Sequence, residues 1–469
     1  MNERLPLGVK IGYGFGTFGE CIAMNTFYIY FLFFLTNAAG MSASAAGTIC
    51  AIAVFWGAFT DLYAGAKSDK SMNPRGRRRP FMFKAAVPLG IITVLMYTNI
   101  SGFSESFKFV YFLLASLIFW LSLSFTDIPY LSLGSEISDD YEERNTMRAI
   151  ANVLNYGAMI LVSSGTLLIV VKFSDGNGVG DPKGWTAVGI LFGVLTLLAY
   201  WIVVFSTKGK EPLDIADAAP DGNKVNYARS CIEVLLIKPY RNVIIYTIFA
   251  YGAVLVYTSI FIYFVIYNMG FDENRYAFYM LIYSVMVMII STILAGIGTK
   301  IEKRTIVCVT SLILGVAMII AKFYGLNPMT LYIILLLFAF AISAYFVQIY
   351  SMIYDICDLD EFVSGGGREG VIISLFYFVG KVMGGIAMFA VGWILTYANY
   401  DPTLFEQTPE TLSGIATGTL LIPGIGFIIG AIAMLKYPIN KKNFEALREA
   451  IRAKKLNEDY STSDFKELL

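Results

Sequence analysis

Long apolar runs separated by short polar connections dominate this chain. A bilayer hydrocarbon core of about 30 Å takes roughly 20 apolar residues per helix. On that template twelve spans are predicted, at 11–37, 44–66, 81–100, 107–133, 149–172, 186–206, 241–268, 275–299, 305–323, 329–353, 370–397 and 412–436. The longest polar interval, 207–240, falls between the sixth and seventh spans. It divides the chain into two six-helix bundles, 1–206 and 241–437, leaving 438–469 as a tail. The expected fold is therefore an all-α membrane protein, with repeated bundles around a central pathway. In the tail, Phe444, Leu447, Ile451 and Leu456 recur at near-helical spacing among alternating charges. They predict an amphipathic helix that caps the membrane face.

The placement of charge adds an orientation. Odd-numbered connections hold only Lys108, Lys172, Lys183, Arg275 and Lys322, and one base, Lys381, lies inside a span. The rest of the 35 Lys and Arg residues sit at the two termini and in the even-numbered connections, including the block "RGRRRP". Under the positive-inside rule, both termini and the central loop are predicted to be cytoplasmic, in a multi-pass protein of the cell membrane.

Composition agrees: 57% of residues are hydrophobic and 15% charged, against about 25% charged in an ordinary soluble domain. Zero formal net charge gives no reason to invoke nucleic acid. The chain has no His and five scattered Cys without CxxC spacing, so neither a catalytic imidazole nor a metal motif is expected. An enzyme is thus disfavoured, and no cofactor is expected beyond a coupling ion. The N-terminus reads as leading directly into the first span.

An ionisable side chain at the bilayer centre costs at least about 2.5–3.5 kcal/mol, so each one inside a span is a functional candidate. Glu20 lies about ten residues into the first span, roughly 15 Å along it. Asp61 lies near the inner end of the second span, Asp127 in the inner half of the fourth, and Lys381 near the middle of the eleventh. Three acids against one base leave room for a cation if they converge. Carboxylates suit Na⁺, and burial also turns them into proton carriers. A static internal ion pair is the bland alternative. The run "GYGFGTFGE" in the first span reads as close helix packing, not as a phosphate loop, because it lacks GxxxxGK[ST]. Tyr28, Tyr263, Tyr345, Phe346 and Tyr350 read mostly as packing, with some able to stack on a flat ligand face.

Four stretches carry a resemblance: "KIGYGFGTFGE", "DLYAGAKSDKSMNPRGRRRP", "DIPYLSLGSEISDDYEERNTMR", and "YDICDLDEFVSGGGREG" followed by "SLFYFVGKVMGG". The chain resembles the glycoside–pentoside–hexuronide:cation symporters, the melibiose-carrier group of the major facilitator superfamily. The resemblance implies a cation site at Asp61, Asp127 and Ser124. It implies a solute site at Asp127 and Lys381, with Glu20, Cys21, Tyr28, Asn152 and Tyr377 as further candidates. It implies inner-gate ion pairs from Arg144, Asp355, Asp358, Glu361 and Arg368, joined by Asp69 beside the basic block. The sequence also departs from the family pattern. Gly57 stands where Na⁺-coupled members carry a second helix-two carboxylate, which favours H⁺. Glu20 and Cys21 replace a Lys-Asp pair, Leu131 replaces a sugar-stacking tryptophan, and Asn152 replaces an arginine.

The expected function is cation-coupled symport of a sugar or glycoside by alternating access, with the protein monomeric in the bilayer. A carrier of a non-sugar organic solute is the alternative, and a membrane receptor is the rival of a different class.

Overall fold

A computed structural model describes residues 5–71, 73–138, 140–176, 178–210, 227–297, 301–365, 368–404, 406–456 and 458–468. Part of the predicted central loop, 211–226, lies outside the described residues. Among the described residues there is no strand. Twelve helices among these residues are long and apolar enough to cross a membrane: span 1 (Leu7–Asn37), span 2 (Ala43–Asp69), span 3 (Arg79–Met96), span 4 (Glu105–Gly134), span 5 (Glu142–Lys172), span 6 (Pro182–Ser206), span 7 (Lys238–Asn268), span 8 (Glu273–Gly296), span 9 (Lys303–Tyr324), span 10 (Pro328–Ser364), span 11 (Glu369–Tyr397) and span 12 (Pro409–Leu435).

Their starts follow from local chemistry. Ser104, Asp140 and Asp181 each accept a backbone N–H of the helix they precede, and Asn327 forms a capping box with Thr330 before Pro328. Some of their ends overrun the apolar windows. Hydropathy predicts a stop at 353 for span 10, but the helix continues to Ser364, giving 37 residues or about 55 Å of helix. Hydropathy fades at "YDICDLDEF" while helical hydrogen bonding does not, so the excess projects beyond a 30 Å core. In the tail, Lys441–Lys455 form a helix capped by Asn440 and Asn443.

The chain folds into two compact units, each assembled from separate stretches of sequence. The first comprises Met1–Pro220, Thr258–Ser284 and Gly385–Ile415; the second comprises Asp221–Tyr257, Val285–Gly384 and Ala416–Leu469. In the first unit, span 1 packs on spans 5 and 6, span 2 on span 4, and span 3 on spans 4 and 6. The glycine run of span 1 explains how these helices approach. A Cβ at Gly12 would meet Ser206, at Gly14 Leu154, at Gly16 the Tyr130 ring, and at Gly19 Ala199. Gly12, Gly16 and Gly19 share the face that meets spans 4 and 6, and Gly14, on the other side, admits span 5. Span 1 ends where buried Lys108 donates to the carbonyls of Ala39 (2.7 Å) and Gly40 (3.4 Å), a cation on orphan carbonyls.

The tightest approach is backbone to backbone. A Cβ on Gly184 would collide with the carbonyl oxygen of Val170, so spans 5 and 6 touch without a side chain between them. Gly184→Val is expected to destabilise the protein by about 1–3 kcal/mol through overpacking. The corresponding change at Gly157, which faces open space, should leave thermal unfolding in detergent unchanged.

In the second unit, span 12 packs on span 9 and on the N-terminal half of span 7. Single π-helical turns interrupt span 7 at Thr247–Tyr251 and span 10 at Tyr345–Ile349. Such turns widen a helix locally and are frequent at functional sites.

Candidate functional site

In the first unit, the acid of span 2 is held by hydroxyls. Ser124 Oγ, from span 4, lies 2.6 Å from Asp61 Oδ1 and 2.9 Å from the Trp120 carbonyl. Thr60 Oγ1 sits 2.8 Å from Ser124 Oγ, extending the chain to three side chains across two helices. Thr60 and Ser124 are buried, while Asp61 is half-buried. With Thr60 donating to Ser124, the serine proton points at the carboxylate. The sequence points to Ser124 here but not to Thr60. The one signal for Thr60 is adjacency to Asp61, on a face that hydropathy alone does not resolve.

Position 57 is occupied in a specific way. A Cβ at Gly57 would sit 2.6 Å from the indole ring of Trp120, which is fully buried. The indole therefore fills the ground one turn before Asp61. A side chain at 57 would have to displace a ring held edge-to-face by Phe27 (5.4 Å) and Tyr28 (6.0 Å).

Asp127, on the same helix as Ser124, is buried. It shares its surroundings with half-buried Glu20: both acids lie within electrostatic reach of the hydroxyls of Tyr13, Tyr130 and Tyr200. The Tyr13 and Tyr130 rings stack at 4.8 Å, and Tyr200 meets Tyr130 edge-on at 6.5 Å. The structure thus brings Glu20 and Asp127 to one tyrosine cluster, built where Gly16 and Gly134 leave space for Tyr130 and Tyr13. Cys21 is buried and accepts from Asn25 Nδ2 through its carbonyl (2.9 Å) and its sulfur (3.2 Å). Tyr28 accepts a hydrogen bond from Ser259 through its backbone carbonyl. Asn152 is exposed on span 5.

In the second unit, Tyr377 and Lys381 lie one helical turn apart on span 11. Tyr377 is exposed and meets Tyr350 edge-on at 5.9 Å; Lys381 is half-buried. Tyr251 and Tyr345 stack nearly parallel, 4.6 Å apart and 6° between planes. Both belong to the π-helical turns of spans 7 and 10. A Cβ on Gly380, beside Lys381, would lie 3.6 Å from Tyr251. The wall of aromatic rings along the lysine face includes Tyr251, which sequence reasoning alone does not single out.

The expected gate residues all have defined settings at or beside the helix ends nearest the chain termini. Arg78, buried, pairs with Asp69 (2.5 Å) and Glu136 (3.1 Å) and donates to Ser68 Oγ (2.7 Å). Arg77 pairs with the same Glu136. Arg144 donates to the Ser138 carbonyl. Asp355 pairs with Lys303 at 2.6 Å. Arg368 pairs with Asp360 (2.5 Å) and with Glu233 (2.6 Å) of a linker helix, Tyr227–Leu236. Asp358 and Glu361 line a cavity of about 660 Å³ together with Glu445, Arg448, Glu449 and Arg452 of the tail helix. Sequence reasoning misses Glu136, Glu233 and Asp360 as members of these pairs. A pair of this kind forms only when the chain folds, and no local pattern reports it.

Among the described residues, twelve apolar helices, an intramembrane acid held by hydroxyls and a span-borne lysine define a polytopic membrane protein. Residues 12–441 match the family model described as MFS/sugar transport protein, and the chain belongs to that family. It is 28% identical over 447 residues to the uncharacterized symporter YjmB of Bacillus subtilis (strain 168), covering 92% of this chain and 94% of the relative. It is 23% identical to the putative glycoside/cation symporter YagG of Escherichia coli (strain K12), covering 95% and 94% respectively. Among solved structures, a D-xylose-proton symporter superposes with a TM-score of 0.64 at 13% identity, covering 92% of this chain and 96% of that one. That likeness concerns the fold.

Proposed function

We propose that this protein carries a sugar or glycoside across the cell membrane by alternating access, in symport with a proton. The bond from Ser124 to Asp61 carries the reading: it couples spans 2 and 4 through a carboxylate that hydrocarbon alone would not tolerate. Asp61, Ser124 and Asp127 hold the coupling cation in this reading. The indole over Gly57 supports a proton over Na⁺, because it fills the place a second carboxylate oxygen would need. Asp127 also serves the solute, together with Glu20, Cys21, Tyr28 and Asn152. Tyr377 and Lys381 offer the solute an aromatic face and a positive charge. Asp69, Arg144, Asp355, Asp358, Glu361 and Arg368 form inner-gate ion pairs. Both termini face the cytoplasm, and the working unit is a monomer.

The exposed amide at Asn152 and the aliphatic Leu131 favour one second reading, a carrier of a non-sugar organic solute. The test is uptake by proteoliposomes under imposed gradients. An acid-outside pH gradient is expected to drive accumulation of a labelled glycoside without Na⁺. Accumulation only under an inward Na⁺ gradient would overturn proton coupling. Binding without counterflow would overturn transport itself.

A further inference from the structure

The first unit closes on itself at the end remote from the chain termini through neutral side chains of spans 1 and 7 and the 11–12 connection. Asn37 ends span 1, and its side-chain oxygen accepts from two tyrosine hydroxyls: Tyr267 of span 7 at 2.8 Å and Tyr400 of the 11–12 connection at 2.6 Å. The two hydroxyls are themselves 2.8 Å apart. One residue earlier, Thr36 shares a 2.7 Å hydrogen bond with Tyr263, whose ring meets Tyr400 edge-on at 5.3 Å. Backbone geometry delivers both tyrosines. Tyr267 rides on the π-helical turn Phe264–Asn268, and Tyr400 follows Asn399, which adopts the left-handed conformation (φ 52°) that Asn tolerates.

Beneath this knot, spans 2 and 11 cross without a side chain between them. A Cβ on Gly47 would lie 2.8 Å from the Gly392 Cα, and one on Gly392 would lie 2.5 Å from the Ala43 carbonyl oxygen. Two bare backbones in contact do not interdigitate, so they can part without unthreading any side chain. The polar groups above them can also part. Neutral hydroxyl and amide bonds exchange for bonds to water at small net free energy, and on closing each regains a partner. Interlocked apolar side chains or buried ion pairs would resist that exchange more strongly.

We infer that Asn37, Tyr267 and Tyr400 are gating residues for transport: a separable latch that closes the face remote from the termini, over the bare Gly47–Gly392 crossing. The latch rests on the alternating-access reading and is independent of which solute or cation is carried. It differs in kind from the ionic residues at the opposite ends of the helices.

The test uses Ser259, which is buried beneath the latch with its hydroxyl on the Tyr28 carbonyl. Ser259→Cys is placed in the full-length protein in intact cells and exposed to a membrane-impermeant maleimide, with the parent protein as background. Labelling is expected to be slow with the latch intact. Tyr400→Phe, which removes a single oxygen, and Asn37→Ala are each expected to accelerate it about fivefold to tenfold. Gly392→Ala, which forces the crossing apart from a different point, is expected to do the same. Labelling rates within twofold of the unmodified latch in all three variants, with normal surface expression, would overturn the inference. Fast labelling with the latch intact would also overturn it. Accelerated labelling without counterflow of any glycoside would sustain the latch while removing the glycoside reading.

Discussion

Asp61→Asn is expected to lower solute accumulation against a gradient by at least about tenfold, while counterflow at equal concentrations continues. The asparagine keeps the shape of the side chain and its contact with Ser124 Oγ, 2.6 Å away in the parent, but it cannot bind and release a proton. Coupling is a free energy shared between two sites, and a tenfold loss corresponds to about 1.4 kcal/mol of it. Ser124→Ala should cost less, because it removes one orienting bond and leaves the carboxylate. Thr60→Val should cost less again, since it acts only through Ser124. Accumulation and counterflow are read on the same reconstituted sample. Equal losses of both in Asp61→Asn would point to a structural acid, and an unchanged accumulation ratio would remove Asp61 from the coupling site.

A second large effect is expected at Arg78, and it falls on stability. Arg78 is 4% exposed and neutralises Glu136, itself largely buried, at 3.1 Å, with Asp69 and Ser68 completing its surroundings. Removing one partner of a buried pair costs up to about 3–5 kcal/mol, and here Arg77, paired with the same Glu136, offsets part of that cost. Arg78→Ala should therefore lower the thermal midpoint in detergent sharply. The double change Arg78→Leu with Glu136→Leu should recover much of the loss, because both charges leave together. Arg75→Ala, at an exposed position of the same basic block, should change nothing measurable. Equal behaviour of Arg75→Ala and Arg78→Ala would mean that the block serves only orientation. The expected difference divides "RGRRRP" into Arg75, which faces water, and Arg77 and Arg78, which are built into the helix ends.

The membrane architecture is legible in the sequence because burial in lipid imposes long apolar runs, and such runs survive any uncertainty about packing. Where the helices end is not legible. Asp355, Asp358, Asp360 and Glu361 dilute hydropathy without breaking helical hydrogen bonds, so span 10 continues eleven residues past its predicted stop. The glycine run in span 1 is readable as a packing face, but the identity of each neighbour is not. That Gly16 faces Tyr130 and Gly57 faces Trp120 depends on pairs separated by 114 and 63 positions. Glu136 and Thr60 escape a sequence reading for the same reason. A charged or hydroxyl side chain near a helix end has many available roles, and only its partner selects one. Tyr251 and Tyr345 look like ordinary aromatic filling in the sequence. Their parallel stack needs the extra residue that each π-helical turn inserts, and the sequence carries no local mark of that insertion.

The central claim is that solute entry brings protons with it. The most direct measurement is the pH of a lightly buffered, de-energised suspension of cells expressing the protein, recorded as a glycoside is added. The expected result is a transient external alkalinisation that persists without Na⁺ and disappears in Asp61→Asn. Solute uptake with no pH change, or an alkalinisation that survives in Asp61→Asn, would contradict it.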